Sequence, residues 1–193
     1  MSLDSGLKGR DTHKNRKADC YETPPVAVEA LLKNAWIPKK VWEPCCGSGN
    51  IVNVLRASGR ECIGSDLNDY GDPTHFYGRD FLMERKAPDG CQAIVTNPPF
   101  MLAHEFVRHA LTLVPSVMML LRLAFFESER RKDILDGAGL ARILVFSKRL
   151  PMMHRKGWEG RKANSGMAFA WFIWELDWYD GGRTEIERIS WER

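Results

Sequence analysis

Short apolar runs alternate along the chain with stretches whose apolar residues recur every three or four positions. Val28, Leu31, Leu32 and Ala35 keep helical spacing behind Thr23 and Pro24, which read as an N-cap and first-turn pair, and Pro38 closes the segment. Lys40 to Glu43 reads as a short strand that runs into a glycine-bearing turn, Pro44 to Gly49. The turn opens a helix with Ile51, Val54 and Leu55 on one face and Gly59 as its stop. Glu61 to Asp66 predicts a second strand, followed by a loop rich in Asn, Asp, Gly and Pro. Gln92 to Thr96 predicts a strand that must stop at Asn97, because Pro98 and Pro99 cannot continue a sheet ladder. Ala103, Phe106, Val107, Ala110, Leu111 and Val114 mark an amphipathic helix, and Val117 to Leu123 a buried strand. Phe125 to Leu135 predicts a further helix and Ala141 to Ser147 a further strand. Lys148 to Lys162 reads as a basic loop or flap, and Met167 to Trp178 as a long aromatic strand. This alternation implies an α/β fold, an open and mostly parallel sheet covered by helices on both faces, with ligands at the carboxyl ends of its strands.

Composition narrows the class. A chain of 193 residues with 44% apolar and 27% charged content fits one globular domain, expected over residues 20–193. The first 19 residues carry Lys8, Arg10, Lys14, Arg16 and Lys17 without the apolar core of a secretory signal, and read as a basic flexible arm. The longest apolar stretches, Val117 to Leu121 and Gly166 to Trp174, fall short of the roughly 18 to 20 residues that cross a bilayer, so no membrane partner is expected. Five cysteines form no Cys-x-x-Cys pair, which suits reduced thiols and a cytoplasmic protein. The histidines lack metal-like spacing with cysteines or carboxylates, and no metal is expected. A net charge of +3 permits nucleic-acid binding without requiring it.

Three features carry candidate chemistry. Glu43-Pro44-Cys45-Cys46-Gly47-Ser48-Gly49 places two glycines between a strand and a helix N-terminus, where backbone can approach a ligand or merely turn. No glycine follows at Asn50, Ile51 or Val52, so the spacing departs from the dinucleotide Gly-x-Gly-x-x-Gly and disfavours NAD. Asp66, about 20 residues on at the end of the next strand, is placed to accept both hydroxyls of a ribose, or to cap the following turn. Asn97-Pro98-Pro99-Phe100 supplies a side-chain amide oxygen and a rigid backbone carbonyl, two acceptors that can hold the N–H groups of a conjugated amine and aim its lone pair at an electrophile. Phe100 can stack on a flat acceptor; the competing reading is a proline loop stop with a core phenylalanine.

Taken together these residues resemble the amino-methyltransferases that use S-adenosylmethionine, in particular DNA adenine-N6 methyltransferases, over about Tyr21 to Trp178. The resemblance implies a Rossmann-like methyltransferase fold with a mostly parallel seven-stranded sheet. It implies S-adenosylmethionine as cofactor and S-adenosylhomocysteine as product. The implied cofactor contacts are Tyr21, Thr23 and Pro24 from the first motif, Glu43, Pro44, Cys45, Gly47 and Gly49 from the glycine motif, Asp66 with its neighbour Leu67, and Asp80 and Phe81 around the adenine. Asn97, Pro98, Pro99 and Phe100 are the implied catalytic motif. Phe146 to Pro151 and Phe169 to Trp174 look like small phage or prophage-associated members. The chain ends about 15 residues beyond its last strong strand, so no separate target-recognition domain is expected, and a partner subunit or dimer would supply it. Lys148, Arg149 and Arg155 are the expected nucleic-acid contacts, set against the ordinary reading of a solvated basic surface. Trp158 stands in the same stretch as a nucleotide-stacking residue or a loop tryptophan. Cys45 and Cys46 are read as lining the turn rather than as nucleophiles. DNA is the expected acceptor; an RNA adenine, a protein glutamine and an inactive subunit of a modification complex are the alternatives. The few residues ahead of the glycine turn count against a glutamine-directed enzyme.

Overall fold

Period-two alternation along uniformly apolar strands sends neighbouring residues to opposite faces of one sheet. The computed structural model describes residues 22–136, 138–151, 166–177 and 183–192. Its strands are β1 (Lys40–Glu43), β2 (Glu61–Asp66), β3 (Phe76–Tyr77), β4 (Ala93–Thr96), β5 (Ser116–Arg122), β6 (Leu140–Phe146), β7 (Phe169–Glu175) and β8 (Glu185–Ile189). They form an eight-stranded sheet in the order β3-β2-β1-β4-β5-β7-β6-β8. All neighbours pair in parallel except β7, which runs antiparallel to both β5 and β6. Helices α1 (Pro25–Asn34) and α2 (Asn50–Ala57) cover one face, and α3 (Ala103–Leu113) and the single turn α4 (Lys132–Leu135) cover the other.

Burial follows the alternation. Val41, Met118, Leu120, Trp171 and Ile173 pack with Leu31, Ile51 and Leu55 of α1 and α2. Trp42, Val117, Met119, Leu121, Phe172 and Trp174 pack with Phe106, Val107 and Ala110 of α3. The tryptophans of β7 bury their indole N–H groups only because each finds a carbonyl: Trp171 Nε1 donates to Ala27 O at 2.9 Å and Trp174 Nε1 to Ile134 O at 2.7 Å. The aromatic strand expected over 167–178 therefore forms as core, over Phe169–Glu175.

Two expectations are corrected. The sheet has eight strands rather than seven, because β8 adds to the free edge of β6 with a largely exposed, charged sequence that carries no core signal. The helix expected over Phe125 to Leu135 is absent. A 3-10 turn over Leu123–Phe125, a second over Glu129–Arg131 and α4 stand in its place. Ser128 is extended (φ −164°, ψ 114°), and Arg131 turns back to lie 4.2 Å over the Phe125 ring and to donate to Phe125 O at 3.0 Å. Among the described residues no helix is long and apolar enough to cross a membrane, and no cluster of metal-ligating side chains occurs. The expected arm over 1–19, Tyr21, Arg155 and Trp158 lie outside the described residues.

Because Trp171 joins β7 to α1 through a fully buried ring and a hydrogen bond, Trp171→Ala is expected to cost about 3–5 kcal/mol in chemical denaturation. Trp171→Phe should cost clearly less, and equal losses for the two would contradict the packing role.

Candidate functional site

The carboxyl ends of β1, β2 and β4 lie side by side, so the glycine turn, Asp66 and Asn97 emerge on one rim of the sheet. Gly47 (φ +52°) and Gly49 (φ +87°) occupy left-handed backbone that other residues adopt only with strain, and Gly49 caps α2. The turn is pinned to β2 by Cys46 N donating to Ser65 O at 3.0 Å and Gly47 N donating to Asp66 Oδ2 at 3.0 Å. Asp66 Oδ1 accepts from Asn68 N at 2.8 Å, so a mostly buried carboxylate is held in one orientation by two backbone donors.

Beneath the turn lies His75. A Cβ on Gly49 would come within 2.5 Å of His75 Cε1, and one on Gly64 within 2.8 Å of His75 Cδ2. The imidazole thus fills the space that two absent side chains leave. Tyr77 Oη lies 3.5 Å from His75 Nδ1 and accepts from Asp72 N at 3.1 Å. Burial pulls the His75 pKa below its ordinary 6.5, with Asp72 opposing the shift and Arg56 adding to it.

A second set of bonds joins the turn to the Asn-Pro-Pro-Phe motif. Thr96 Oγ1 donates to Glu43 Oε1 at 2.6 Å across β4 and β1. Burial pushes the Glu43 carboxyl well above the usual range, while the Thr96 hydroxyl and the Cys45 backbone act against that rise. Asn97 Nδ2 donates to Thr23 Oγ1 at 3.1 Å, which turns the Oδ1 end of the amide away from Thr23. Asn50 Nδ2 donates to Thr23 O at 3.2 Å and Ser48 Oγ to Glu22 Oε1 at 3.2 Å, fastening the segment before α1 to the turn.

These elements enclose a cleft of about 270 Å³. Of the residues singled out from the sequence, Thr23, Pro44, Cys45, Gly47, Asp66, Leu67, Asp80, Phe81, Asn97 and Pro99 line it. Pro24, Glu43, Gly49, Pro98 and Phe100 are not among its walls. Glu43 is fully buried behind the turn, and Phe100 packs toward Phe169, with ring centroids 5.7 Å apart. Asp80 Oδ1 accepts from Leu82 N at 3.0 Å, and Phe81 is wedged between Trp42 and His109 at centroid distances of 5.3 and 4.9 Å. Burial and the charges of Glu43 and Asp66 push the Cys46 thiol up to about 12, which disfavours its thiolate form near neutral pH. Lys148 Nζ pairs with Glu192 Oε2 at 2.6 Å, whereas Arg149 is exposed. Sequence reasoning missed His75, Tyr70 and Arg79, of which the last two line the cleft. All three come from the polar stretch after β2, which has no periodicity to mark them; only the need for something beneath Gly49 and Gly64 would have pointed to a buried ring.

No protein-family model and no curated protein sequence matches the chain. Solved structures do match it in fold. A protein described as a modification subunit of a type I restriction enzyme from Vibrio vulnificus superposes with a TM-score of 0.57 at 12% identity, over 91% of this chain and 48% of its own. One described as an RNA methyltransferase from Pyrococcus horikoshii gives 0.58 at 13% identity, over 84% of this chain and 91% of its own. The 23S rRNA methyltransferase ErmE gives 0.56 at 14% identity, over 80% and 68%. The chain spans about half the length of the restriction subunit. At these identities the likeness establishes the Rossmann-like fold that these proteins share.

The buried imidazole makes the turn pH-sensitive in one direction. With the folded pKa of His75 lowered, its contribution is complete above about pH 6.5 and declines as pH falls below that value. The melting temperature of the wild-type chain is expected to drop between pH 7 and pH 5.5. His75→Gln should flatten this dependence, and an identical pH profile for the two proteins would remove His75 from the explanation.

Proposed function

We propose that this protein transfers a methyl group from S-adenosylmethionine to an exocyclic amine, with N6 of adenine in DNA as the acceptor. The observation that carries the reading is that the Asn97 amide and the Asp66 carboxylate, brought together from β4 and β2, form walls of one cleft beside the glycine turn. The residues present suit the cofactor. Each oxygen of Asp66 accepts one backbone hydrogen bond and keeps lone-pair capacity for a ribose hydroxyl. The Asp80 carboxylate is exposed at the same cleft and has capacity for an exocyclic amine beside Phe81. Cys45, Gly47 and Leu67 supply close, largely uncharged walls between them.

Bound S-adenosylmethionine supplies an electrophilic methyl on a sulfonium. The protein's task is to present a poor nucleophile, since the lone pair of an adenine amine is delocalised into the ring. Asn97 Oδ1 and the Pro98 carbonyl accept the two N–H groups of that amine and stabilise the positive charge that develops on nitrogen. Thr23 holds the Asn97 amide through its Nδ2 group, and the fixed φ of Pro98 and Pro99 restricts the backbone that carries the second acceptor. For a base in duplex DNA, extrusion from the stack costs a few kcal/mol, less in a single strand. The names of the similar structures, a restriction-modification subunit and RNA methyltransferases, support a nucleic-acid acceptor. The modification subunit also supports a partner subunit for target recognition.

Labelled methyl from S-adenosylmethionine should appear in unmethylated DNA as N6-methyladenine. Label confined to RNA would keep the chemistry and replace the acceptor. Asn97→Ala is expected to lower transfer by on the order of 10²–10³-fold with cofactor affinity retained, and full activity in that variant would overturn the mechanism. Asp66→Ala should weaken cofactor binding in calorimetry by roughly tenfold, the scale of one or two charge-assisted hydrogen bonds. Unchanged affinity would take Asp66 out of the site.

A further inference from the structure

Arg122 ends β5, beside the carboxyl end of β4 that carries Asn97, and its register partner on β7 is Phe169. Its guanidinium carbon lies 4.3 Å above the Phe100 ring, which in turn packs at 5.7 Å on Phe169. The Nε atom is buried without a hydrogen-bond partner. Among the described residues no carboxylate pairs with Arg122. Arg79 is bidentate to Glu84, Arg108 pairs with Asp133 and Arg142 pairs with Glu185 and Glu187, whereas Arg131, like Arg122, lies over a phenyl ring. A guanidinium has a planar fork of donors that matches an oxyanion in bidentate geometry. Here the fork is held on an aromatic face and shielded at Nε, and no carboxylate of the described residues pairs with it.

We infer that Arg122 is a phosphate-binding residue of the acceptor site, seating the backbone of a nucleic-acid strand beside the end of β4 that carries Asn97. This rests on the methyl-transfer reading for the role of Asn97, and it adds the feature that would favour a nucleic acid over a free nucleoside or a protein amide. One further observation favours a strand. The same rim continues through the pairing of β7 with β6 to exposed Arg149, three residues beyond the end of β6, a second cation on the path of a backbone.

The test is binding of a fluorescent mixed-sequence single-stranded DNA 12-mer to the full chain, with S-adenosylhomocysteine present, across ~50–200 mM salt. Arg122→Gln is expected to bind about tenfold more weakly and to lose about 0.7 from the slope of log K against log salt, the share of one single-strand phosphate. Arg122→Lys should keep the slope while binding more weakly than wild type, because it retains the charge and loses the fork. Equal slopes for wild type and Arg122→Gln would overturn the assignment, as would failure of wild type to bind the 12-mer. Should Arg122→Gln not fold, as shown by its melting curve and S-adenosylhomocysteine affinity, Arg122→Lys decides alone: affinity equal to wild type would overturn the bidentate contact. An Arg122-dependent slope without methyl transfer to any nucleic acid would leave the phosphate site standing and remove the methyl-transfer reading instead.

Discussion

The site depends on a few polar groups that have left water and pair with one another. Glu43 has no exposure; Thr96 supplies a hydroxyl to its Oε1 across two parallel strands, while Oε2 is buried without a hydrogen-bond partner. Losing either partner would strand a buried polar atom, at a cost of about 1–3 kcal/mol. That constraint fixes the relative height of the β1 and β4 ends, and so of the glycine turn and Asn97. Asp66 does the same between β1 and β2 by binding the Gly47 amide. Three strand ends are thereby held in register, the preorganisation that the proposed methyl transfer would require.

Packing explains why the lock is rigid. Alternate residues of β5 and β7 enter two separate cores, so neither strand can slip by one position without turning every side chain to the wrong face. The glycine turn rests on the ring of His75 rather than on open space. Its shape is therefore set from below by an imidazole and from the side by Asp66.

Much of this was legible in the sequence. The strand, turn and helix over 40–57, the end of β4 at Asn97 and the amphipathic α3 follow from proline, glycine and apolar spacing, and the parallel order follows from their alternation. The acidic position at Asp66 and the Asn-Pro-Pro-Phe stretch were marked by place and residue type, and the fold brings both to one cleft. What could not be read depends on contacts between distant segments. β8 is a polar edge strand whose pairing is decided by the free edge of β6. Ser128 breaks a helical pattern because Arg131 finds the Phe125 ring and carbonyl, a local competition that periodicity does not weigh. His75 and Arg122 carry no motif; one is defined by the hollow it fills and the other by the ring it covers and its buried Nε.

The central claim is that the cleft at the ends of β1, β2 and β4 holds S-adenosylmethionine with its methyl facing Asn97. The most direct measurement is a crystal structure of the full chain with S-adenosylhomocysteine. The expected result is density in that cleft, with ribose hydroxyls on Asp66, the adenine between Asp80 and Phe81, and the sulfur toward Asn97. Density at another site, or a cleft left empty at saturating ligand, would contradict it.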